Sequence, residues 1–293
     1  MQLGINNVSA QGEQMLRRIL VPLDPSSYGQ AALGWSCYAA RITSAELTGL
    51  AVLDLPGIEK SIGSVPLGGI HYARHLVEKK EKKALDYVEK LLRAFEDRCR
   101  REGVRYRLAE CQGNPSKQII RDSIYYDIVV LGLRTCFHYD CEFKQGDSIA
   151  DLLDHSVTPV FAVPDHFEAP KGKVSVLVAF DGSFPAARAL HRFAQLVRTA
   201  EFMITIIMSH QDMEYANDCL SQAEGFLRAH GFGNIDKVWT PRNIVDEIRN
   251  NYLQQTNMFV IGAHSKRGLK DFMVGSLSKV LIREENKYLL IGQ

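Results

Sequence analysis

The fold is decided by the stretch Arg18-Ile-Leu-Val-Pro-Leu-Asp24-Pro-Ser-Ser27, whose pattern returns as Val174-Ser-Val-Leu-Val-Ala-Phe-Asp181-Gly-Ser183. In both stretches an apolar run leads to an aspartate, and hydroxyl-bearing residues follow. A continuous apolar run of this length, closed by turn residues, is typical of a strand buried on both faces of a parallel sheet. Because the pattern occurs twice, the chain is predicted to contain two copies of one structural unit.

The same series of elements follows each apolar run. An alanine-rich segment with apolar residues at helical spacing comes first, and a second strand follows it, at 46–53 in one copy and 202–208 in the other. A longer amphipathic helix then ends before Gly103 or Gly231, where glycine suits a helix C-terminal cap. Three more strands and two more helices complete each copy. The pattern predicts an α/β fold of two tandem Rossmann-like domains, each an open five-stranded parallel sheet with helices on both faces.

The repeat also suggests where the domains begin and end. Residues 1–15 are expected to be a flexible N-terminal arm, residues 16–165 the first domain and residues 172–293 the second. A length of 293 residues agrees with two domains rather than one. The first copy contains an additional segment at 55–70, which is rich in glycine and proline and is therefore expected to be a long loop.

The composition argues against several classes of partner. Apolar residues make up 46% and charged residues 24% of the chain, as is ordinary for a globular protein. Lys and Arg number 35 against 34 Asp and Glu, so no overall positive field favours nucleic acid or anionic lipid. The sequence has no apolar stretch typical of a signal peptide or of a membrane span, so we expect a cytoplasmic protein with reduced cysteines.

The ends of two strands carry the candidate chemistry. Ligands of an open parallel sheet bind beyond the carboxyl ends of the strands, where the strand order reverses. In the second copy, Asp181, Gly182 and Ser183 follow the first strand, and the segment 262–276 follows the fourth. This segment begins with a glycine, continues through a basic stretch and reaches Gly-Ser before a helix, so it can present backbone N–H groups and a hydroxyl to a phosphate.

This arrangement resembles the tandem form of the universal stress protein family. Members carry a Gly-x2-Gly-x9-Gly-Ser/Thr phosphate loop, and ATP-binding members contact the adenine with an aspartate after the first strand. Gly262, Gly275 and Ser276 match the loop in register, Asp181 matches the aspartate, and Ser265 stands where the second glycine belongs. The resemblance implies the adenine nucleotide alpha hydrolase-like fold and a nucleotide site of the following residues: Asp181, Gly182, Ser183, Gly262, His264, Ser265, Lys266, Gly268, Gly275 and Ser276.

Ser265 departs from the family's phosphate loop, and this departure has two opposite consequences for ATP binding. Its Cβ opposes a positive φ or a close approach of phosphate, which would weaken ATP binding. Its hydroxyl can also donate a hydrogen bond to a phosphate, which would support binding. Both consequences stay open at the level of the sequence.

The first copy departs further from the family's loop. Gly132 is followed by Leu-Arg-Thr without a second glycine, and Gly146 lies one residue beyond the register. Asp147 comes next, and an acidic residue at a phosphate-facing helix start repels the ligand. Asp24 is retained, although a proline follows it. Nucleotide is therefore expected mainly in the second copy, with Asp24, Gly132 and Gly146 as secondary candidates.

A cysteine-containing segment offers an alternative site. Cys136-Phe-His138-Tyr-Asp140-Cys141 brings together two thiols, an imidazole and a carboxylate, all of which are suitable zinc ligands. The spacing matches no standard zinc finger. Free thiols in a mobile loop are the preferred interpretation, and no bound metal is expected.

The expected function is stress-response regulation through binding of ATP or AMP, mainly by the C-terminal domain. The sequence has no Walker lysine, Mg²⁺ site or general base pair, so at most slow ATP hydrolysis is expected. The superfamily also includes electron-transfer flavoproteins and adenylating enzymes, but their additional signatures are absent here. A nucleotide-free interaction scaffold is the alternative. The terminal strands, 159–163 and 288–292, are expected to pair with each other or with a second chain.

Overall fold

The computed structural model describes residues 16–63, 69–135, 137, 152, 155–196, 201–263, 274–284 and 286–292, with the backbone alone at 196 and 274–276. Its strands are β1 Arg18–Pro22, β2 Glu46–Leu53, β3 Tyr106–Gln112, β4 Ile128–Gly132, β5 Val160–Val163, β6 Val174–Ala179, β7 Phe202–Ser209, β8 Ile235–Thr240, β9 Met258–Gly262 and β10 Tyr288–Gly292. Its helices are α1 Ser27–Thr43, α2 Leu55–Ile62, α3 Ile70–Glu102, α4 Pro115–Ser123, α5 Phe184–Leu196, α6 Met213–Ala229, α7 Ile244–Asn251 and α8 Val274–Glu284.

The described strands form one ten-stranded sheet in the order β3-β2-β1-β4-β5-β10-β9-β6-β7-β8. Neighbouring strands are parallel within each half. The two halves of the sheet meet where β5 lies beside β10, a place we call the joint. These two strands run antiparallel, with Phe161 opposite Leu290. The predicted α/β fold is confirmed, and the terminal strands pair within the chain. The limits of the two domains stay predictions.

Both faces of the sheet are covered, which explains the continuous apolar runs. Ile128 and Val130 of β4 pack on the face that carries α1, α3, α5 and α6. The alternate residues, Val129 and Leu131, pack on the face that carries α4, α7 and α8. Successive side chains of a strand point to opposite faces, so each central strand contributes to two hydrophobic cores.

Residues 55–62, which the sequence predicted to be part of a loop, form helix α2 instead. Asp54 caps this helix by accepting a hydrogen bond of 3.0 Å from the backbone N–H of Gly57, and a proline lies in the first turn. Ile58 is buried against Ala84 of α3. Proline is well tolerated at a helix start, so it marked a beginning rather than a break. Residues 64–68 of the expected loop lie outside the described residues, and Ile70, its predicted last residue, begins α3 instead.

The predicted glycine caps are confirmed at both long helices. Gly103 follows α3 with φ 66°, and its backbone N–H donates to the last turn. Gly231 follows α6 with φ 90°. Glycine is favoured at both places because the left-handed conformation strains residues that carry a Cβ. Among the described helices, none combines the length and apolar character needed to cross a lipid bilayer.

Candidate functional site

The candidate site lies where the strand order reverses in the second half. β6 and β9 are neighbours there, and β7 and β10 lie on their outer sides. Asp181 follows β6, and Gly262 ends β9, so the sheet brings these two predicted residues to the same edge. We call the space beyond these two strand ends the crevice. The first half has an equivalent place beyond β1 and β4, with Asp24 and Gly132.

Asp181 enters the crevice between β6 and helix α5. Its Oδ1 accepts a hydrogen bond of 2.9 Å from the backbone N–H of Ser183, and its side chain is half-buried. Ser183 then caps α5, because its Oγ accepts from the N–H of Ala186 at 3.3 Å. Oδ2 of Asp181 has no hydrogen-bond partner among the described residues. The crevice therefore contains one carboxylate oxygen that can accept a hydrogen bond from a ligand.

Helix α6 forms one wall of the crevice. A Cβ at Gly182, which has φ 75°, would lie 3.2 Å from Oη of Tyr215 and 3.6 Å from Sγ of Cys219. The Tyr215 ring packs against His210, with 4.8 Å between ring centroids. A hydrogen bond with the Cys219 thiol is the main cause that raises the pKa of Tyr215, and the Asp181 charge adds to it.

The sequence-predicted site did not include Tyr215, Cys219 or His210. The repeat contained a signal for the tyrosine. Tyr87 and Tyr215 occupy equivalent positions in the two copies, because each lies the same number of residues before the glycine that follows its helix, Gly103 or Gly231. Burial raises the pKa of Tyr87, and the charge of a nearby aspartate, Asp24, adds to it. Each half thus places a tyrosine of its long helix near the aspartate after its first strand.

Packing alone requires a glycine at Gly262, whether or not this residue also contacts a ligand. A Cβ at this position would lie 2.5 Å from the carbonyl carbon of Pro185 and 2.6 Å from the backbone N of Ala186. The end of β9 therefore passes directly beneath the first turn of α5. A Cβ at Gly132 would likewise lie 2.4 Å from the Cβ of Tyr28 in α1. Both predicted loop glycines thus have a structural role that does not depend on a ligand.

The equivalent place in the first half is closed. Asp24 is only 3% exposed, and its Oδ1 accepts from the N–H of Ser26 at 3.0 Å. Its Oδ2 accepts from the Ser26 hydroxyl at 2.7 Å. Thr135, which stands in place of the second loop glycine, is buried, and its hydroxyl has no partner within the described part of the chain. Asp24 follows β1 and Gly132 ends the neighbouring strand β4, but the Asp24 carboxylate is already hydrogen-bonded.

Several predicted residues lie outside the described residues: His264, Ser265, Lys266, Gly268 and Gly146, together with Cys136, His138, Asp140 and Cys141 of the possible zinc segment. Gly275 and Ser276 lie in the first turn of α8, where the backbone alone is described. The described residues contain no group of three or more side chains suited to holding a metal ion.

Comparison with known proteins decides the family. The profile described as the universal stress protein family matches residues 15–164, which is more than half of the chain. The chain belongs to the universal stress protein family. The matched segment is the first half, although the second half retains more of the phosphate loop that the family resemblance implies. No curated protein sequence matches this universal stress protein significantly.

Solved structures with the same architecture extend the likeness over both halves. A universal stress protein from Archaeoglobus fulgidus DSM 4304 aligns with 94% of this chain and 98% of its own, at 20% identity and a TM-score of 0.62. A functionally unknown protein from Pseudomonas aeruginosa PAO1 aligns with 96% of this chain and 93% of its own, at 15% identity and a TM-score of 0.56. At these identities the likeness shows the fold alone.

Proposed function

We propose that this universal stress protein binds one adenine nucleotide, ATP or AMP, in the crevice of its second half and acts as a regulatory module in a stress response. The observation that carries the proposal is the state of Asp181, whose Oδ2 is unoccupied within the described part of the chain. A carboxylate oxygen accepts hydrogen bonds only, and the exocyclic amino group of adenine is a suitable donor. Family membership and the strand order at the crevice support the same assignment.

The phosphate end of the ligand is assigned to the start of α8. Gly275 and Ser276 lie in its first turn, and a helix N-terminus offers backbone N–H groups and a favourable dipole to an anion. The crevice edge that holds Asp181 and the strand that leads to α8 are adjacent in the sheet. A nucleotide would thus extend from Asp181 across the end of β9 towards α8.

The first half is proposed to bind no nucleotide. Both oxygens of Asp24 accept hydrogen bonds from Ser26, and the side chain is almost fully buried. A ligand would have to break one of these bonds before it gained its own. We therefore expect one nucleotide per chain.

Titration calorimetry of the full chain with ATP and with AMP tests the proposal. We expect a stoichiometry near one, and we expect Asp181→Ala to weaken binding about tenfold or more, because a hydrogen bond to a charged group contributes about 1.5–3 kcal/mol. Asp236→Ala is the matched control, since Asp236 is an exposed aspartate on β8. Absence of binding in the unmodified chain, or equal affinities in the two variants, would refute the proposal.

A second variant examines the phosphate end separately. Gly275→Val adds a branched side chain at the start of α8, where the phosphate is assigned. We expect this variant to lose the thermal stabilisation that ATP gives the unmodified chain, while adenosine binding stays unchanged. Retention of the full ATP effect would place the phosphates elsewhere.

A further inference from the structure

A cavity of about 310 Å³ lies at the joint between the two halves, away from the crevice. It is lined by residues that begin strands of the sheet: Ile128, Val174, Phe202, Met258 and Tyr288. Nucleotide is proposed at the carboxyl ends of β6 and β9, whereas this cavity adjoins their amino ends. Helix α1 and the segment 167–173, which connects the halves, complete its walls. The cavity and the crevice are therefore separate places in the fold.

Aromatic side chains from both halves form the walls of this cavity. Trp35 of α1 stacks on Phe161 of β5, with 4.1 Å between ring centroids. Phe161 in turn stacks on Tyr288 of β10 at 6.0 Å, across the joint. Phe167 of the connecting segment packs against Tyr38 of α1 at 5.6 Å. Such surfaces favour a flat, apolar ligand, because aromatic rings gain from offset stacking.

The size of the cavity suits a fused-ring molecule. An apolar cavity of about 150 Å³ is sufficient to bind benzene. The present volume is about twice as large and reaches the lower end of the range for small-molecule sites, roughly 300–1,000 Å³. A two-ring ligand therefore fits better than a single ring.

The charges that line the cavity favour an anion. Lys171 and Lys173 contribute two ammonium groups, and Glu168 contributes one carboxylate. Neither lysine forms an ion pair with any residue that the structure describes. All three residues are exposed, so the charges lie at the solvent side of an otherwise apolar space. One negative charge on the ligand would balance the excess positive charge.

We propose that this cavity binds a small fused-ring aromatic anion, with its rings against Phe161 and its charged group at Lys171 and Lys173. The site joins α1 and β5 of the first half to β10 and the connecting segment, so it exists only because the chain contains both halves. An adenine nucleotide is a poor occupant, because the polar edges of its base would lose their hydrogen bonds to water among these aromatic walls.

Binding of 8-anilinonaphthalene-1-sulfonate to the full chain, followed by fluorescence, tests this proposal. The probe has fused rings and one sulfonate, and we expect saturable binding to one site, unchanged by ATP. The neutral analogue N-phenyl-1-naphthylamine separates the ring contacts from the charge. With Lys171→Ala and Lys173→Ala combined, the sulfonate should bind at least about fivefold more weakly and the neutral analogue equally well. Lys117→Ala combined with Lys279→Ala is the control, since both lysines are exposed elsewhere.

A cavity-filling variant examines the ring contacts. Ala39 of α1 lines the cavity, so Ala39→Leu should project into it and weaken binding of both probes about tenfold, whereas Ala229→Leu, at an exposed helical position, should not. If Ala39→Leu does not fold, the lysine variants decide. The proposal is overturned by the absence of saturable binding, by displacement of the probe with ATP, or by lysine variants that bind the sulfonate as well as the unmodified chain does.

Discussion

The hydroxyl of Ser26 donates a 2.7 Å hydrogen bond to Oδ2 of Asp24, and this bond occupies an oxygen that remains open in the second half. Ser183 is the equivalent residue there, but its Oγ accepts from the N–H of Ala186 and does not bond Asp181. The intervening residue is a proline in the first half and Gly182, with φ 75°, in the second. The two copies thus share a backbone plan and differ in whether the carboxylate is available to a ligand.

This difference predicts unequal effects of one substitution in the two halves. Ser26→Ala removes a helix cap and also the hydroxyl that donates to Oδ2 of the buried Asp24, so we expect it to lower the free energy of unfolding by about 2 kcal/mol. Ser183→Ala removes only the cap, and we expect a loss of about 1 kcal/mol. Urea denaturation followed by circular dichroism measures both. Equal losses would show that the Ser26 to Asp24 bond adds nothing to stability.

The close passage of β9 beneath α5 predicts a large effect at Gly262. In Gly262→Ala the new methyl group would overlap backbone atoms of Pro185 and Ala186. Backbone atoms cannot move aside as the end of a flexible side chain can, so we expect the free energy of unfolding to fall by about 3 kcal/mol. Gly225→Ala is the matched control, because Gly225 lies in α6 and, apart from the adjacent backbone of its own helix, nothing lies within 4 Å of the added carbon. We expect this control to gain up to about 1 kcal/mol from helix propensity. Thermal denaturation compares them, and a mild effect at Gly262 would contradict the packing.

Much of the fold could be predicted because its signals are local. Helix α4, one of the two further helices predicted for the first copy, runs from Pro115 to Ser123, and an asparagine cap and a proline mark its start. Strand β10 has its predicted bounds, 288–292. Helix α2 was missed because glycine and proline favour both a loop and a helix start, and burial of Ile58 decides between them.

The site was less predictable because it depends on contacts between distant segments. Tyr215 reaches Gly182 only through the packing of α6 against the sheet, and its one signal in the sequence is the equivalent position of Tyr87 in the first copy. The motif assigned Gly262 to phosphate binding. The structure shows a second reason for a glycine there, the close contact of its backbone with α5, which the sequence does not indicate. The cavity at the joint arises from residues of both halves, so neither half predicts it alone. The roles of Ser265 and Gly275 stay predictions.

Burial of one lysine predicts a pH dependence of stability. Lys287 is 8% exposed, and this burial lowers its pKa, although Glu284 opposes the effect. The unfolded chain then binds more protons between the lowered pKa and the ordinary value of about 10.4, so this group makes stability rise with pH over that window. Lys287→Met should therefore be more stable than the unmodified chain at pH 7, and its advantage should shrink as the pH approaches about 10.4. Lys279→Met, at an exposed position, serves as the control in urea denaturation across this range. An advantage that stays constant with pH would contradict the shift.

The packing of α1 against α3 predicts which thiols react in the folded chain. Cys37 of α1 and Cys99 of α3 are 1% and 0% exposed. The hydrogen bond with Cys37, together with burial, raises the pKa of Cys99, and burial raises the pKa of Cys111 to about 11. Because the thiolate is the nucleophile, N-ethylmaleimide should alkylate the half-buried Cys219 first and Cys111 more slowly among the four cysteines that the structure describes.

Cys37 and Cys99 should react only when α1 and α3 separate, so their alkylation should follow unfolding of the first half as urea is added. Peptide mass spectrometry of samples quenched at increasing times gives the rate at each cysteine. Alkylation of Cys37 or Cys99 as fast as Cys219 without denaturant would show that α1 and α3 part readily in the folded state. The buried core beneath β1 and β2 would then be far less stable than its burial implies, since both helices cover that face of the sheet.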